Sequence, residues 1–303
     1  MKKFYYFVTA IILSVMLAAC GQSNETDGKT DNGNTNSGTP VENNANQDKE
    51  NDKENEDNEK AEDESVSAEQ LFDKLLAAQD DLKSFTADIT MDQDMVYGEE
   101  NMKTSTKILM DYVSDNEFSQ KLSTSAAGQN IDMEMYYVEE GLFIFQEGQD
   151  QWMKAPKDMV DQLMQMDDSQ TDPYAQIIQL KDLSEHFEVK EEGDTYVLTI
   201  KAGGEEFNEF IKETALEQFA GDDVDAEKLL DGMKINSTDY HIVIDKETYF
   251  PVTVKIDMDM TMTQEDEKVD MKQNINMTYS NYNEIEKIEL PEGVAEEAVE
   301  LEV

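Results

Sequence analysis

The sequence predicts an α+β domain in which helices cover one face of a long-stranded antiparallel sheet. Three observations predict it. A capping-box pattern, Ser67-Ala-Glu-Gln70, opens a run of apolar residues at helical spacing. After that run the apolar period switches from helical to two. The last third then alternates apolar and charged residues over stretches as long as Val252 to Thr263, the pattern of strands with one dry and one wet face.

Taken in order, Leu71, Phe72, Leu75, Leu76 and Leu82 predict a first helix over about 67–83. Phe85, Ala87, Ile89 and Met91 share one face of the first strand; Thr106, Ile108, Met110 and Tyr112 share one face of the next. Phe118, Gln120 and Leu122 mark a third strand. In a fourth, Ile131, Met133, Met135 and Tyr137 form the dry face against Asp132, Glu134 and Tyr136. Turn residues at Tyr97-Gly98, Ser114-Asp115-Asn116, Gly128-Gln129-Asn130 and Glu140-Gly141 separate the strands, so the region reads as an antiparallel meander.

The middle returns to helical spacing: Met159, Val160, Leu163 and Met164, then Tyr174, Ile177, Ile178 and Leu180, broken at Asp172-Pro173. Phe187-Glu-Val and Tyr196 to Ile200 read as strands around the turn Glu192-Gly193-Asp194. Phe207 to Leu216 and Ala226 to Leu230 read as further helices. In the last third Tyr240, Ile242 and Ile244 alternate with polar neighbours, as do Val252 through Met262 and Val269 through Tyr279. The sheet is therefore expected to be covered on one side only, with an uninterrupted apolar face beneath the helices.

The chain has 303 residues, and its 24 basic residues, all lysine, face 70 acids, a net charge of −46. Without guanidinium forks, and with a field that repels polyanions, nucleic-acid binding is excluded. One cysteine rules out an intramolecular disulfide, and two isolated histidines, His186 and His241, leave zinc sites and Cys/His nucleophile pairs without parts.

That cysteine has another use. Lys2 and Lys3 precede an apolar run from Phe4 to Leu17, too short for a span of about 20 residues, and Leu17-Ala18-Ala19-Cys20 ends it. The tetrapeptide resembles the lipobox of bacterial lipoproteins, which implies diacylglycerol on the Cys20 thiol and cleavage before it. Three parts follow: a signal peptide (1–19), lipidated Cys20 with a linker to residue 64, and a folded domain (65–303). Residues 21–64 carry 14 acids and 4 lysines with no aromatic side chain, so they cannot offset chain entropy and are expected to form a disordered tether. The domain keeps −38 of the charge, which would hold it away from anionic head groups.

The two ends of the domain carry a further resemblance. Leu75-Leu76 through Leu82-Lys-Ser-Phe-Thr-Ala-Asp88 is similar to the helix-into-strand entry of the LolA-like superfamily, and Tyr279-Ser-Asn-Tyr-Asn283 through Ile288-Glu-Leu-Pro-Glu-Gly-Val294 to its exit. The LppX/LprG-type lipoproteins share that fold, and the layout also resembles uncharacterised lipoproteins of Gram-positive bacteria. The resemblance implies a highly curved antiparallel half-barrel wrapped over helices, with an apolar cavity able to hold acyl chains.

The expected lining of that cavity is Ile89, Met91, Ile108, Met110, Met133, Met135, Ile256, Met258, Met260 and Met262. Methionine is abundant, 18 residues, and falls in pairs one residue apart: Met133-Met135, Met164-Met166 and Met258-Met260-Met262. Three readings stay open: a pliable lipid-binding wall, a soft Cu(I) site, and ordinary core filling. The acidic runs Asp167-Asp168 and Asp222 to Glu227 lack the spacing of a calcium loop and read as solvated. No Gly-x-Ser-x-Gly, phosphate loop or zinc motif is present, so no catalytic residue, metal or cofactor is predicted and the chain does not read as an enzyme. Trp152 is expected to close a strand edge over the helices. The expected function is a membrane-anchored lipoprotein on the outer side of the cell membrane that binds or senses a lipid-like ligand. The alternative is an interaction module that meets a protein partner through its acidic face.

Overall fold

The computed structural model of the chain describes residues 66–114, 117–149, 151–157, 159–160, 175–204, 207–209, 232–264 and 267–301. Cys20, the signal peptide, the linker, most of the helices expected between Met159 and Leu180 and between Phe207 and Leu230, and both acidic runs lie outside these residues. Among the described residues, no helix is long and apolar enough to cross a membrane.

Helix α1 (Ala68–Gln79) starts where the capping box places it: the Ser67 hydroxyl accepts from the Gln70 amide at 3.2 Å, and the Gln70 side chain accepts from the Ser67 amide at 3.0 Å. It ends four residues before the expected boundary, because the chain turns at Asp80 to enter the sheet at Ser84. Leu71, Phe72 and Leu75, all fully buried, form its inward stripe.

The strands are β1 (Ser84–Tyr97), β2 (Glu100–Val113), β3 (Glu117–Ala126), β4 (Gln129–Val138), β5 (Gly141–Gln146), β6 (Met153–Lys154), β7 (Glu188–Glu192), β8 (Thr195–Ala202), β9 (Met233–Asp245), β10 (Pro251–Gln264), β11 (Glu267–Ser280) and β12 (Val299–Glu300). Helix α2 (Ala175–Ile178) runs into a 3-10 helix (Gln179–His186), and α3 (Val294–Glu297) lies near the end. All strands belong to one open, curved sheet in the order β12-β6-β5-β4-β3-β2-β1-β11-β10-β9-β8-β7, antiparallel except for β12 on β6. Two meanders, β1 to β6 and β7 to β11, meet where β1 pairs with β11.

On the inner face Phe85, Ala87, Leu198, Ile242, Ile244, Val254 and Met277 pack against α1, Ile177, and Leu180 and Leu183 of the 3-10 helix. This is the expected layering, an α+β half-barrel with helices against one face. The outer face carries directly opposed polar pairs: Lys103 on Asp94 at 2.6 Å, Lys121 on Glu134 at 3.5 Å, and the Thr86 hydroxyl donating to Asp111 at 2.6 Å. Lys103 and its hydrogen bond hold the Asp94 carboxyl below the usual carboxylate range. Exposed pairs of this kind contribute about 0–1 kcal/mol each, so they define the wet face more than they stabilise it.

The sequence segments that resemble the superfamily's entry and exit meet in space. The Asn283 side chain accepts from the Lys83 amide at 2.7 Å and donates to the Asp81 carbonyl at 3.0 Å, while the Ser84 hydroxyl accepts from the Ile285 amide. Asn281 and Asn283 both sit at positive φ, 54° and 60°, which asparagine tolerates well. Phe85, fully buried, faces Tyr112, Tyr279 and Tyr282 beside this clasp.

Two expectations fail at the β4 end. The outer face is not uniformly wet: Tyr136, Val138 and Phe143 point outward and are buried by Ile288 and Val294 of the C-terminal segment. Tyr136 therefore belongs to a dry surface, while Ile131, expected in the core, is 47% exposed. Trp152 joins this second core, with its ring 5.7 Å from Tyr136 and 5.3 Å from Phe145, and its carbonyl accepts from the Val299 amide at 2.9 Å. It packs with the C-terminal segment rather than with the helices. The physical reason is that 281–301 returns across the outer face, which a strand's own alternation cannot reveal.

Candidate functional site

All ten residues expected to line a cavity lie on the inner face, as the registers show: Ile89 is opposite Ile108, Met91 opposite Ile275, Met258 opposite Gln273, and Met260 opposite Met271. They do not form one lining. Ile256 is 7% exposed within the main core. Met260, also 7% exposed, packs with Met95 and Met271, with Met102 and Met258 alongside. Ile89, Met91, Ile108, Met110, Met133, Met135, Met258 and Met262 are only half-buried.

Strand pairing places Met102, Met95, Met271 and Met260 side by side on four neighbouring strands. Only Met260 of these belonged to a methionine pair visible in the sequence, because the row is assembled by register across two hairpins and the long-range pairing of β1 with β11. It forms a thioether-rich satellite core. Met164-Met166 lies outside the described residues.

The inner face is also interrupted, contrary to expectation. Thr104, Gln93, Gln273, Met258 and Thr238 are successive opposite partners from β2 through β1, β11 and β10 to β9. All but Met258 in this row are at most 9% exposed. Thr106, 1% exposed, lies one step further along β2 and shares a hydrogen bond with Thr124 at 3.2 Å. The Gln93 amide donates to the Met271 sulfur at 2.9 Å, and the Gln273 amide to the Met91 sulfur at 3.0 Å. The Thr238 hydroxyl, fully buried, has no hydrogen-bond partner. The sequence signal was present, since Gln93 and Gln273 break the apolar alternation, but register was needed to show that they are neighbours.

Tyr240 lies two residues beyond Thr238 on the same face, opposite Ile256 and Ile200. Burial pushes its phenol up to about 12. An unfolded tyrosine ionises near 10, so below that pH both states are neutral and the contribution is intact. Between about pH 10 and 12 the unfolded chain loses the proton while the folded one keeps it, and stability falls as pH rises. Tyr240→Phe is expected to recover roughly 2 kcal/mol of that alkaline loss. Urea midpoints at about pH 9 and about pH 12 check it; equal alkaline losses in both proteins would refute it.

On the outer face, strands β1 to β5 bound a shallow depression of about 430 Å³, lined in part by Lys107, Leu109, Lys121, Glu134 and Phe145. Leu109 is 47% exposed there. Beside it, Asp132 accepts hydrogen bonds from Ser123 and Glu147, which holds its carboxyl below the usual range, while the shared proton and the Asp132 charge raise that of Glu147. His241 is exposed on the outer face, and His186 ends the 3-10 helix 3.6 Å from Glu185. Among the described residues no group of three or more His, Cys, Asp or Glu side chains could hold a metal ion.

Solved structures match the chain weakly and at very low identity. LprF from Mycobacterium bovis is 11% identical, with 75% of this chain and 97% of that one covered and a TM-score of 0.33. A LolA superfamily protein from Nitrosomonas europaea is 8% identical over 75% and 96%, with a TM-score of 0.22. A DUF1329 family protein from Desulfovibrio piger is 8% identical over 72% and 94%, with a TM-score of 0.21. At these scores the half-barrel description rests on the chain's own strand order and helix placement. No curated protein matches the chain in sequence. A family profile does match residues 67–299, the whole stretch from the cap of α1 to β12, and the chain thus belongs to the family of unknown function DUF6612.

Proposed function

We infer that this chain is an extracytoplasmic lipoprotein, held at the outer face of the cell membrane by diacylglycerol on Cys20, whose half-barrel binds a lipid-like envelope ligand. It acts as a binding protein and not as an enzyme. The observation that carries the reading is the inner face itself: Met91, Ile108, Met133 and Met135 stay half-buried there, outside the packed core clusters. Unbranched thioether side chains can repack around acyl chains of varied length, and each methylene removed from water contributes about 0.8 kcal/mol. An anchor of two acyl chains is durable.

Mass spectrometry of the protein taken from its native membrane tests both parts. The expected result is one lipid covalently bound at Cys20 and a second, non-covalent lipid released by organic solvent. Absence of the second would refute ligand binding. Cys20→Ala should move the chain out of the membrane fraction, and a membrane-bound, lipid-labelled variant would refute the anchor. A second reading, contact with a protein partner through the acidic outer face, is favoured by the depression around Leu109 and Phe145. A cross-linked partner on that face with no bound lipid would support it.

A further inference from the structure

The polar row on the inner face is the feature that a packed apolar core does not need. Five of the six polar side chains buried among the described residues are Gln93, Thr104, Thr106, Thr238 and Gln273, and all five face inward across β2, β1, β11 and β9. The sixth, Ser84, is accounted for by its bond from the Ile285 amide. Three of the five, Gln93, Gln273 and Thr238, are poorly satisfied, while Thr106 bonds Thr124. Each glutamine donates to a thioether, a weak acceptor, and the Thr238 hydroxyl has nothing. A buried hydroxyl without a partner disfavours folding, and valine would fill the same space without that penalty. The row persists against that gradient.

Its neighbours on both sides are mainly apolar, with Thr106 and Tyr240 at the two edges of one adjacent row. Toward one end of the strands lies the methionine row Met102, Met95, Met271 and Met260; toward the other lie Ile275 and Ile256. From β2 to β9 the row spans four strand spacings, about 20 Å. Charge is sorted just as sharply: Lys103, Lys107, Lys234, Lys255, Lys268 and Lys272 all take outer-face positions, so no cation on β1, β2, β9, β10 or β11 faces the row.

We propose that this row receives the ester carbonyls and free hydroxyl of a neutral diacyl lipid, whose chains lie on the apolar rows to either side. The proposal rests on the lipid-binding reading above and adds the ligand's chemistry. Glutamine amides donate to the carbonyls, and Thr238 pairs with the hydroxyl as donor or acceptor. A phosphate-bearing lipid finds no counter-charge on these strands and would have to give up its hydration, so the row discriminates against it.

The test uses the full chain in phosphatidylcholine vesicles holding equal amounts of a diazirine-bearing diacylglycerol or phosphatidylglycerol, or a diazirine-bearing alkane. The expected result is preferential labelling by the diacylglycerol, mapped to peptides containing Gln93, Gln273 or Thr238. Thr238→Val should lower that labelling roughly fivefold, the effect of losing about one hydrogen bond, the double variant Gln93→Leu, Gln273→Leu, which loses two, should lower it roughly 25-fold, and both should leave alkane labelling unchanged. A thermal melt of Thr238→Val, expected at or above the parent's midpoint, separates lost recognition from lost folding. Equal labelling by the anionic probe, or variants that label like the parent, would overturn the proposal while lipid binding stood. No labelling by any of the three probes would overturn lipid binding itself.

Discussion

Replacing Phe85 with alanine is expected to destabilise the domain by about 3–5 kcal/mol, a large part of the roughly 5–15 kcal/mol that holds a domain of this kind together. Phe85 is fully buried, and its ring centroid lies 5.3 Å from Tyr112, 6.0 Å from Tyr279 and 6.3 Å from Tyr282. These partners come from β2 and from β11 with its exit, so the lost ring leaves a cavity bordered by two pieces of chain far apart in sequence. Only part of it can collapse, because Asn283 and Ser84 fix the backbone beside it. The thermal midpoint should fall by about 10 °C. Chemical denaturation with an unchanged slope checks the magnitude, and a loss under about 1 kcal/mol would mean that the aromatic cluster is not a packed core.

Phe143→Ala should cost a similar amount but express it locally. Phe143, also fully buried, sits on the opposite face under Ile288 and Val294, and the Lys154 ammonium lies 5.3 Å from its ring centroid. Beyond the clasp at Asn283 and Ile285, residues 286–301 are held there by this small core and by a few backbone bonds, among them those from the Val299 amide to the Trp152 carbonyl and from the Leu301 amide to the Lys154 carbonyl, both 2.9 Å. Without the ring the segment should open as a unit while the β9 to β11 ladder stays closed. Hydrogen exchange reads this directly: the Val299 and Leu301 amides should exchange much faster, with those of Val254 and Ile256 unchanged. Parent-like protection at Val299 would show that the segment is held by something other than this core.

The long strands of the last third were legible because each obeys one local rule. Val254, Ile256, Met258, Met260 and Met262 alternate with polar residues, and all five do face inward. The capping box at Ser67 was legible for the same reason, since its two bonds span three residues. The fourth strand was misread. Tyr136 and Val138 alternate with Met135 and Tyr137, which are also apolar, so period alone could not show that the outer side is buried from Ile288 and Val294, some 150 residues later. The site was half legible. All ten proposed lining residues share the inner face, yet the buried polar row crossing it was not foreseen, because Gln93 and Gln273 stand 180 residues apart and become neighbours only in the β1 and β11 register.

By itself, the sequence determined the α+β class, the strand faces wherever apolar and polar residues alternate cleanly, the helix cap, and the sorting of lysine onto one face. These follow from interactions between residues close along the chain and from the separation of oil from water. Only the tertiary structure decided that β1 pairs with β11, that the C-terminal segment covers part of the outer face, and that scattered methionines, glutamines and threonines form continuous rows. Those outcomes depend on pairing across hairpins and on the return of distant chain, which no local period encodes.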